Sequence, residues 1–153
     1  MDNYHYYRTL TIWYQNILVS RPGPQWHVKL ADFGMCKNAD WSSLKTHVGT
    51  EDYQAPELYG KDTGRYTAAI DIWSLGAVAV CVRTSKPPFQ SVDHLFEYRY
   101  GKKPFPVTAL NTSSEEWANF IQGAMKISAG ERLTITQILE HPWLFAQLNG
   151  YKR

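Results

Sequence analysis

Among the 153 residues, Asp32 has the clearest potential for chemistry. It closes the run Val28-Lys29-Leu30-Ala31, an alternating apolar stretch that reads as a buried strand, and it is followed by Phe33 and Gly34. A carboxylate pushed out at a strand end is a hard oxygen donor, the ligand type that divalent magnesium and calcium take. The tripeptide alone decides nothing, because such a turn after a strand needs no function. A second carboxylate, Asp71, lies within an otherwise apolar run and needs a partner there, since a buried charge without one is costly. Thiolate and imidazole metal sites are not indicated: Cys36 and Cys81 are in no CxxC spacing, and the five histidines are scattered singly. Reduced thiols of a cytosolic or nuclear protein are the default for two such cysteines.

The elements that must position these groups follow from periodicity. Residues 16–20 (NILVS) and 27–31 (HVKLA) are two β-favouring runs, and the intervening RPGPQW carries the Pro-Gly-Pro punctuation of a hairpin-like connection. From Thr67 to Thr84 the pattern becomes helical and apolar around most of the circumference, as in a helix packed on several sides. At 1.5 Å per residue it spans roughly 27 Å and forms the spine of the core. Two prolines after it forbid further helix, and residues 92–100 (VDHLFEYRY) then suit a short amphipathic one. Ser113-Ser114-Glu115-Glu116 offers a capping box before Trp117, Phe120, Ile121, Ala124 and Met125, which recur on one helical face. A last helix is predicted from Thr134 to Glu140, with Thr134 and Gln137 as a capping pair and Pro142 as its end.

Composition bounds the class. The chain is 44% hydrophobic and 14% aromatic, suited to one domain with a sizeable core. Sixteen Lys and Arg against fourteen Asp and Glu leave a formal charge of +2 with no long basic run, so no nucleic-acid partner is expected. The densest basic patch, Gly101-Lys102-Lys103, reads as a solvated loop. The most apolar stretch is too short to span a bilayer, and the first fifteen residues lack a signal core. The expectation is a soluble protein of the cytoplasm or nucleus, with no membrane association.

The motifs acquire meaning in combination. Asp32-Phe33-Gly34 is followed in order by VGTEDYQAPE (48–57), DIWSLG (71–76) and ERLTITQILEHPWL (131–144). This series resembles the C-terminal half of eukaryotic serine/threonine protein kinases, including the Asp-Phe-Gly and Ala-Pro-Glu pair. The resemblance implies a protein-kinase-like α+β fold of which only the large C-terminal lobe is present, mainly α with a short β-hairpin near the N-terminus. It divides the chain into a divergent segment 1–15, the kinase lobe 16–147 and a tail 148–153. ATP and magnesium are the implied cofactors: Asp32 and Asn16 match the two metal ligands, and Phe33 and Gly34 complete the nucleotide side as the inward-packed aromatic and the turn. Thr50 matches the residue that marks serine/threonine specificity in the substrate loop. Thr46 resembles an activation-loop phosphorylation site, where phosphate can order the loop against basic side chains; its alternative is a solvated hydroxyl. Glu57 and Arg132 are implied to form a structural ion pair beneath the substrate loop, and Asp71 to accept hydrogen bonds from the catalytic-loop backbone. Trp73 and His141-Pro142-Trp143 read as core and helix-end residues.

The sequence also departs from the family. Counting back from Asn16 places Thr9, Leu10 and Thr11 where His-Arg-Asp stands in the motif. Thr11 therefore occupies the position of the base, whose loss forfeits about 10² to 10⁴ in rate; Leu10 replaces the arginine that would meet a phosphate on Thr46, and Trp13 replaces a lysine. Fifteen residues hold no Gly-rich loop, β3 lysine or αC glutamate. The match begins abruptly at Asn16, and two readings follow: a truncated kinase whose first residues come from a wrongly called start or retained non-coding sequence, which is preferred, or a genuine degenerate kinase lobe. The expected parent activity is transfer of the ATP γ-phosphoryl group to protein serine or threonine, with this chain inactive alone. The alternative is a pseudokinase-like module that binds protein substrates or kinase partners. Without a covering lobe, apolar surface on the spine helix is expected to be exposed and prone to aggregation. The motif context is most similar to the checkpoint and calmodulin-dependent branch.

Overall fold

The structure is a computed structural model, and it describes residues 16–23, 26–31, 51–59, 67–106 and 114–145. Its order is β1 (Ile17–Arg21), β2 (His27–Leu30), two 3₁₀ turns (Glu51–Tyr53 and Pro56–Tyr59), α1 (Ala69–Thr84), α2 (Val92–Arg99), α3 (Glu115–Ala124), a 3₁₀ turn (Ala129–Glu131) and α4 (Ile135–Leu139). The mainly helical architecture with one N-terminal hairpin is the predicted one.

β1 and β2 pair antiparallel with Ile17 opposite Leu30 and Val19 opposite Val28. The register then slips so that Arg21 faces His27, and Ser20 is the extra residue of a bulge, its hydroxyl donating to the His27 carbonyl at 3.1 Å. At the other end the Ala31 N–H donates to the Asn16 carbonyl at 2.8 Å. One expectation is corrected here: β2 is exposed along its whole length rather than buried. Its alternation places Val28 and Leu30 on the same face as Ile17 and Val19, yet Val28 remains 60% exposed. Ile17 alone of these four packs against the core.

α1 is the spine. It starts two residues later than the sequence suggests: the Thr67 hydroxyl accepts from the Ala69 N–H at 3.3 Å, and Ala68 stands at the N-cap position with no side-chain cap. Ile70, Ile72, Trp73, Ala77, Val78 and Val80 are all buried. The expectation of uncovered apolar surface is thereby corrected in its place: on α1 it is confined to the C-terminal Val82, and the larger share lies on the hairpin. Ser85 ends the helix in the left-handed region at φ 58°, donating its N–H to the Cys81 carbonyl.

α3 crosses α1 closely because Gly76 has no side chain: a Cβ there would stand 2.6 Å from Met125 Cγ. Ser114 caps α3 by accepting from the Trp117 N–H, so the single cap is Ser114 and no Glu completes a reciprocal box. α4 does carry the full box, with Thr134 and Gln137 satisfying each other's backbone N–H groups. Past α4, Trp143 is clamped between Trp117 and Phe120, with ring centroids 4.9 and 4.8 Å away. α2 joins the core through Leu95 and through Phe89, whose ring stacks on Trp73 at 6.0 Å and on Tyr98 at 5.5 Å. Its end is a Schellman turn around Gly101, at φ 67°, in which Lys102 N–H reaches the Glu97 carbonyl.

Candidate functional site

The segment 51–59 is the best-anchored part of the candidate site, held by α1 and by Arg132. Tyr53 is buried against α1: its hydroxyl donates to Cys81 Sγ at 3.1 Å, and its carbonyl accepts from Ser74 Oγ at 3.0 Å. Two residues on, Ala55 and Pro56 are buried and start the second 3₁₀ turn. Sequence spacing gave no signal for the Tyr53 contacts, since a hydroxyl and a thiol on separate elements carry no shared pattern.

Glu57 projects from that turn onto Arg132. The guanidinium grips the carboxylate with both forks, Nη1 to Oε1 and Nη2 to Oε2, each at 2.7 Å. The remaining N–H groups are also placed: Nε donates to the Lys126 carbonyl at 2.8 Å, Nη1 to Ala69 at 2.8 Å and Nη2 to Ile127 at 3.2 Å. All five donors of the guanidinium therefore have acceptors, the condition under which a buried charge is tolerated. The Arg132 side chain is fully inaccessible, whereas the Glu57 side chain keeps 27% exposure. One face of the guanidinium lies 5.0 Å from the Trp73 ring centroid, a cation–π contact. The pair implied by resemblance is thus present, and its stacking on Trp73 adds a tie that the sequence did not indicate.

Asn16 lies at the start of the hairpin, directly across from Ala31, the residue before Asp32. The register sets Asn16 and Ala31 at the same end of the two-stranded sheet. Asp32, Phe33, Gly34, Thr46, Thr50 and Thr11 lie outside the described residues. Asp71 is half-buried in the first turn of α1, where a carboxylate faces the positive end of the helix dipole. The catalytic-loop stretch it is expected to meet also lies outside the described residues. Among the described residues, no group of three or more His, Cys, Asp or Glu side chains is gathered as a metal cluster, and no helix is long and apolar enough to cross a membrane.

Two groups with shifted titration lie on α2. Burial raises the Tyr98 phenol above its ordinary value, with the Arg132 charge acting in the opposite sense, and its hydroxyl donates to the Met125 carbonyl at 3.3 Å. Glu97 is held below its ordinary value chiefly by the hydrogen bond from Lys103, whose Nζ stands 2.7 Å from Oε2. Gly101-Lys102-Lys103 is exposed, as the solvated-loop reading expects, and Lys103 forms a surface ion pair within it.

A helical lobe built on one spine helix, with an N-terminal hairpin and a turn locked by a buried arginine, has the architecture of the large lobe of a kinase. The chain belongs to the protein kinase domain family, matched over residues 12–144. Its relatives are serine/threonine kinases. It is 30% identical over 155 residues to a serine/threonine-protein kinase H1 homolog of Danio rerio, covering 94% of this chain and 36% of the relative. It is 33% identical over 138 residues to human MAP kinase-activated protein kinase 2, covering 85% and 34%. It is 32% identical over 134 residues to the probable serine/threonine-protein kinase fhkC of Dictyostelium discoideum, covering 84% and 22%. Among solved structures, a crystal structure of the Rad53 kinase domain and SCD2 superposes with a TM-score of 0.64 at 28% identity, over 84% of this chain and 44% of that one. The chain thus spans 22% to 36% of the length of these curated relatives.

Proposed function

We propose that this chain is the large lobe, about residues 16–147, of a serine/threonine protein kinase whose parent activity is transfer of the ATP γ-phosphoryl group to protein hydroxyls. The observation that supports this reading is the hairpin register, Ala31 N–H on the Asn16 carbonyl, since it sets Asn16 across from the residue that precedes Asp32 in the sequence. An amide oxygen and a carboxylate form a donor set suited to magnesium, which would bridge the phosphates and neutralise their charge. In this reading Asn16 and Asp32 hold the metal, while Phe33 and Gly34 shape the nucleotide side. Thr50 lines the acceptor loop, Thr46 is the phosphorylated position, and Glu57 with Arg132 supports the loop from below.

Thr11 stands where the base is required, and its hydroxyl cannot take up a proton near neutral pH. The 153-residue chain assayed alone is therefore expected to be inactive. The same residue favours a second reading, a pseudokinase-like module that binds protein substrates or kinase partners through the activation segment between Gly34 and Ala55 and through the helix near Asp93 to Tyr100. We place either form in the cytoplasm or nucleus, and expect it to be prone to aggregation when purified alone.

The test is a thermal melt with ATP and magnesium, together with a labelled-phosphate assay on a generic basic peptide. A retained nucleotide site gives a magnesium-dependent rise in Tm that grows with ATP concentration and is lost in Asp32→Asn. A pure binding module gives no such rise. Magnesium-dependent phosphate incorporation by the purified chain overturns the claim of inactivity.

A further inference from the structure

The Pro56–Tyr59 turn is held by two arginines, and they differ in kind. Arg132 reaches Glu57 from the interior and is fully inaccessible. Arg99 reaches the same turn from the surface: it is the last residue of α2, and its Nη1 donates to the Pro56 carbonyl at 2.6 Å across 43 residues of sequence. Its guanidinium also lies 5.9 Å from the ring centroid of Tyr100, which is 67% exposed. Beside it Phe96, one turn earlier on α2, meets the Tyr59 ring edge-on at 5.7 Å. α2 thus grips both ends of the turn, with a polar contact at Pro56 and an aromatic one at Tyr59.

We propose that Arg99 is a surface latch that fastens the Pro56–Tyr59 turn to α2, so that the setting of α2 controls the local order of segment 55–59 independently of the Glu57–Arg132 pair. The chemistry supports a reversible device. A charged donor on a neutral carbonyl is stronger than an ordinary hydrogen bond, but it occupies only one of the five guanidinium N–H groups, and the side chain is half-buried rather than sealed. Arg132, by contrast, has all five N–H groups placed and no path to solvent. The buried pair keeps the turn on the lobe while the latch sets how tightly its outer edge is held. This inference is independent of kinase activity, because it concerns the ties between two described elements.

Hydrogen–deuterium exchange on the full chain tests it, with Arg99→Met keeping the apolar stem and Arg99→Lys keeping a charged donor. Arg99→Met is expected to speed exchange of the amides in 55–59 about tenfold, the effect of losing one charge-assisted hydrogen bond. Protection in α1 and α3 should be unchanged, and Arg99→Lys should recover most of the protection in 55–59. Unchanged exchange at 55–59 in Arg99→Met overturns the proposal. So does a uniform rise through α1 and α3, or failure of that variant to fold, since either makes Arg99 part of the global core.

Discussion

Arg132 and Glu57, 75 positions apart, meet in a two-pronged ion pair with both N–O distances at 2.7 Å. The pair joins the end of the 51–59 segment to the first residue of α1 and to the turn after α3, because the same guanidinium also binds the carbonyls of Ala69, Lys126 and Ile127. One side chain thereby fixes three elements that no short-range pattern connects.

Removing either partner alone strands buried polar groups. Arg132→Met is expected to cost about 3 kcal/mol, the lower end of the range for a broken buried pair because Glu57 stays partly solvated. Glu57→Gln should cost less, since an amide still accepts from one fork. The double variant should cost less than the two single costs added, by 1 kcal/mol or more in order of magnitude. Urea unfolding of the four chains measures this, and strict additivity would show that the two residues do not depend on one another.

Gly76 makes a sharper steric prediction. An alanine Cβ would stand 2.6 Å from Met125 Cγ and 3.2 Å from Ala124 Cβ, and Met125 is fully buried, so it has no room to swing away. Overpacking of that kind costs about 1 to 3 kcal/mol, against a gain of about 1 kcal/mol in helix propensity. A net loss is expected for Gly76→Ala in denaturant melts. In a Met125→Ala background the alanine should become neutral or stabilising.

Tyr98 gives a pH dependence with a definite sign. Burial raises its phenol above the ordinary value of 10.0, so the neutral form is favoured in the folded chain. Stability from this group is fully present below the unfolded value and is lost as pH rises through the higher folded one. Tyr98→Phe is expected to cost about 1 kcal/mol near pH 8, where the bond to the Met125 carbonyl is lost. That deficit should shrink above about pH 10, because the phenylalanine has no proton to lose. Urea midpoints at pH 8 and pH 11 provide the comparison; a constant deficit would show that Tyr98 does not couple ionisation to folding.

The helices were legible because their signals are local. The apolar run of α1, the Thr134–Gln137 box and the spacing of Trp117, Phe120 and Ile121 each lie within a few turns of chain. Glu57 and Arg132 were legible only through family resemblance, since nothing in either neighbourhood announces the other. The Tyr53–Cys81 and Arg99–Pro56 contacts carried no signal of either kind: each depends on where an element docks, and one of the acceptors is a backbone carbonyl common to every residue. Strand burial was misread at β2 for a related reason. Alternation reports which side chains share a face, but whether that face is covered depends on what packs above it.

That uncovered face yields the last prediction. Val19 and Val28 are cross-strand partners, 52% and 60% exposed, and Leu30 extends the same face at 43%. Among the described residues the sheet has two strands, so no described strand pairs with either of its outer edges. Apolar faces beside open edges drive self-association. Val19→Thr with Val28→Thr keeps β-branching while replacing two exposed methyl groups with hydroxyls. The double variant is expected to stay within about 0.5 kcal/mol of the parent in urea, as for surface substitutions in general. Its light scattering should rise less steeply with protein concentration. A loss of more than about 1 kcal/mol would mean that this face is packed in the folded chain, and unchanged scattering would move the source of association away from the hairpin.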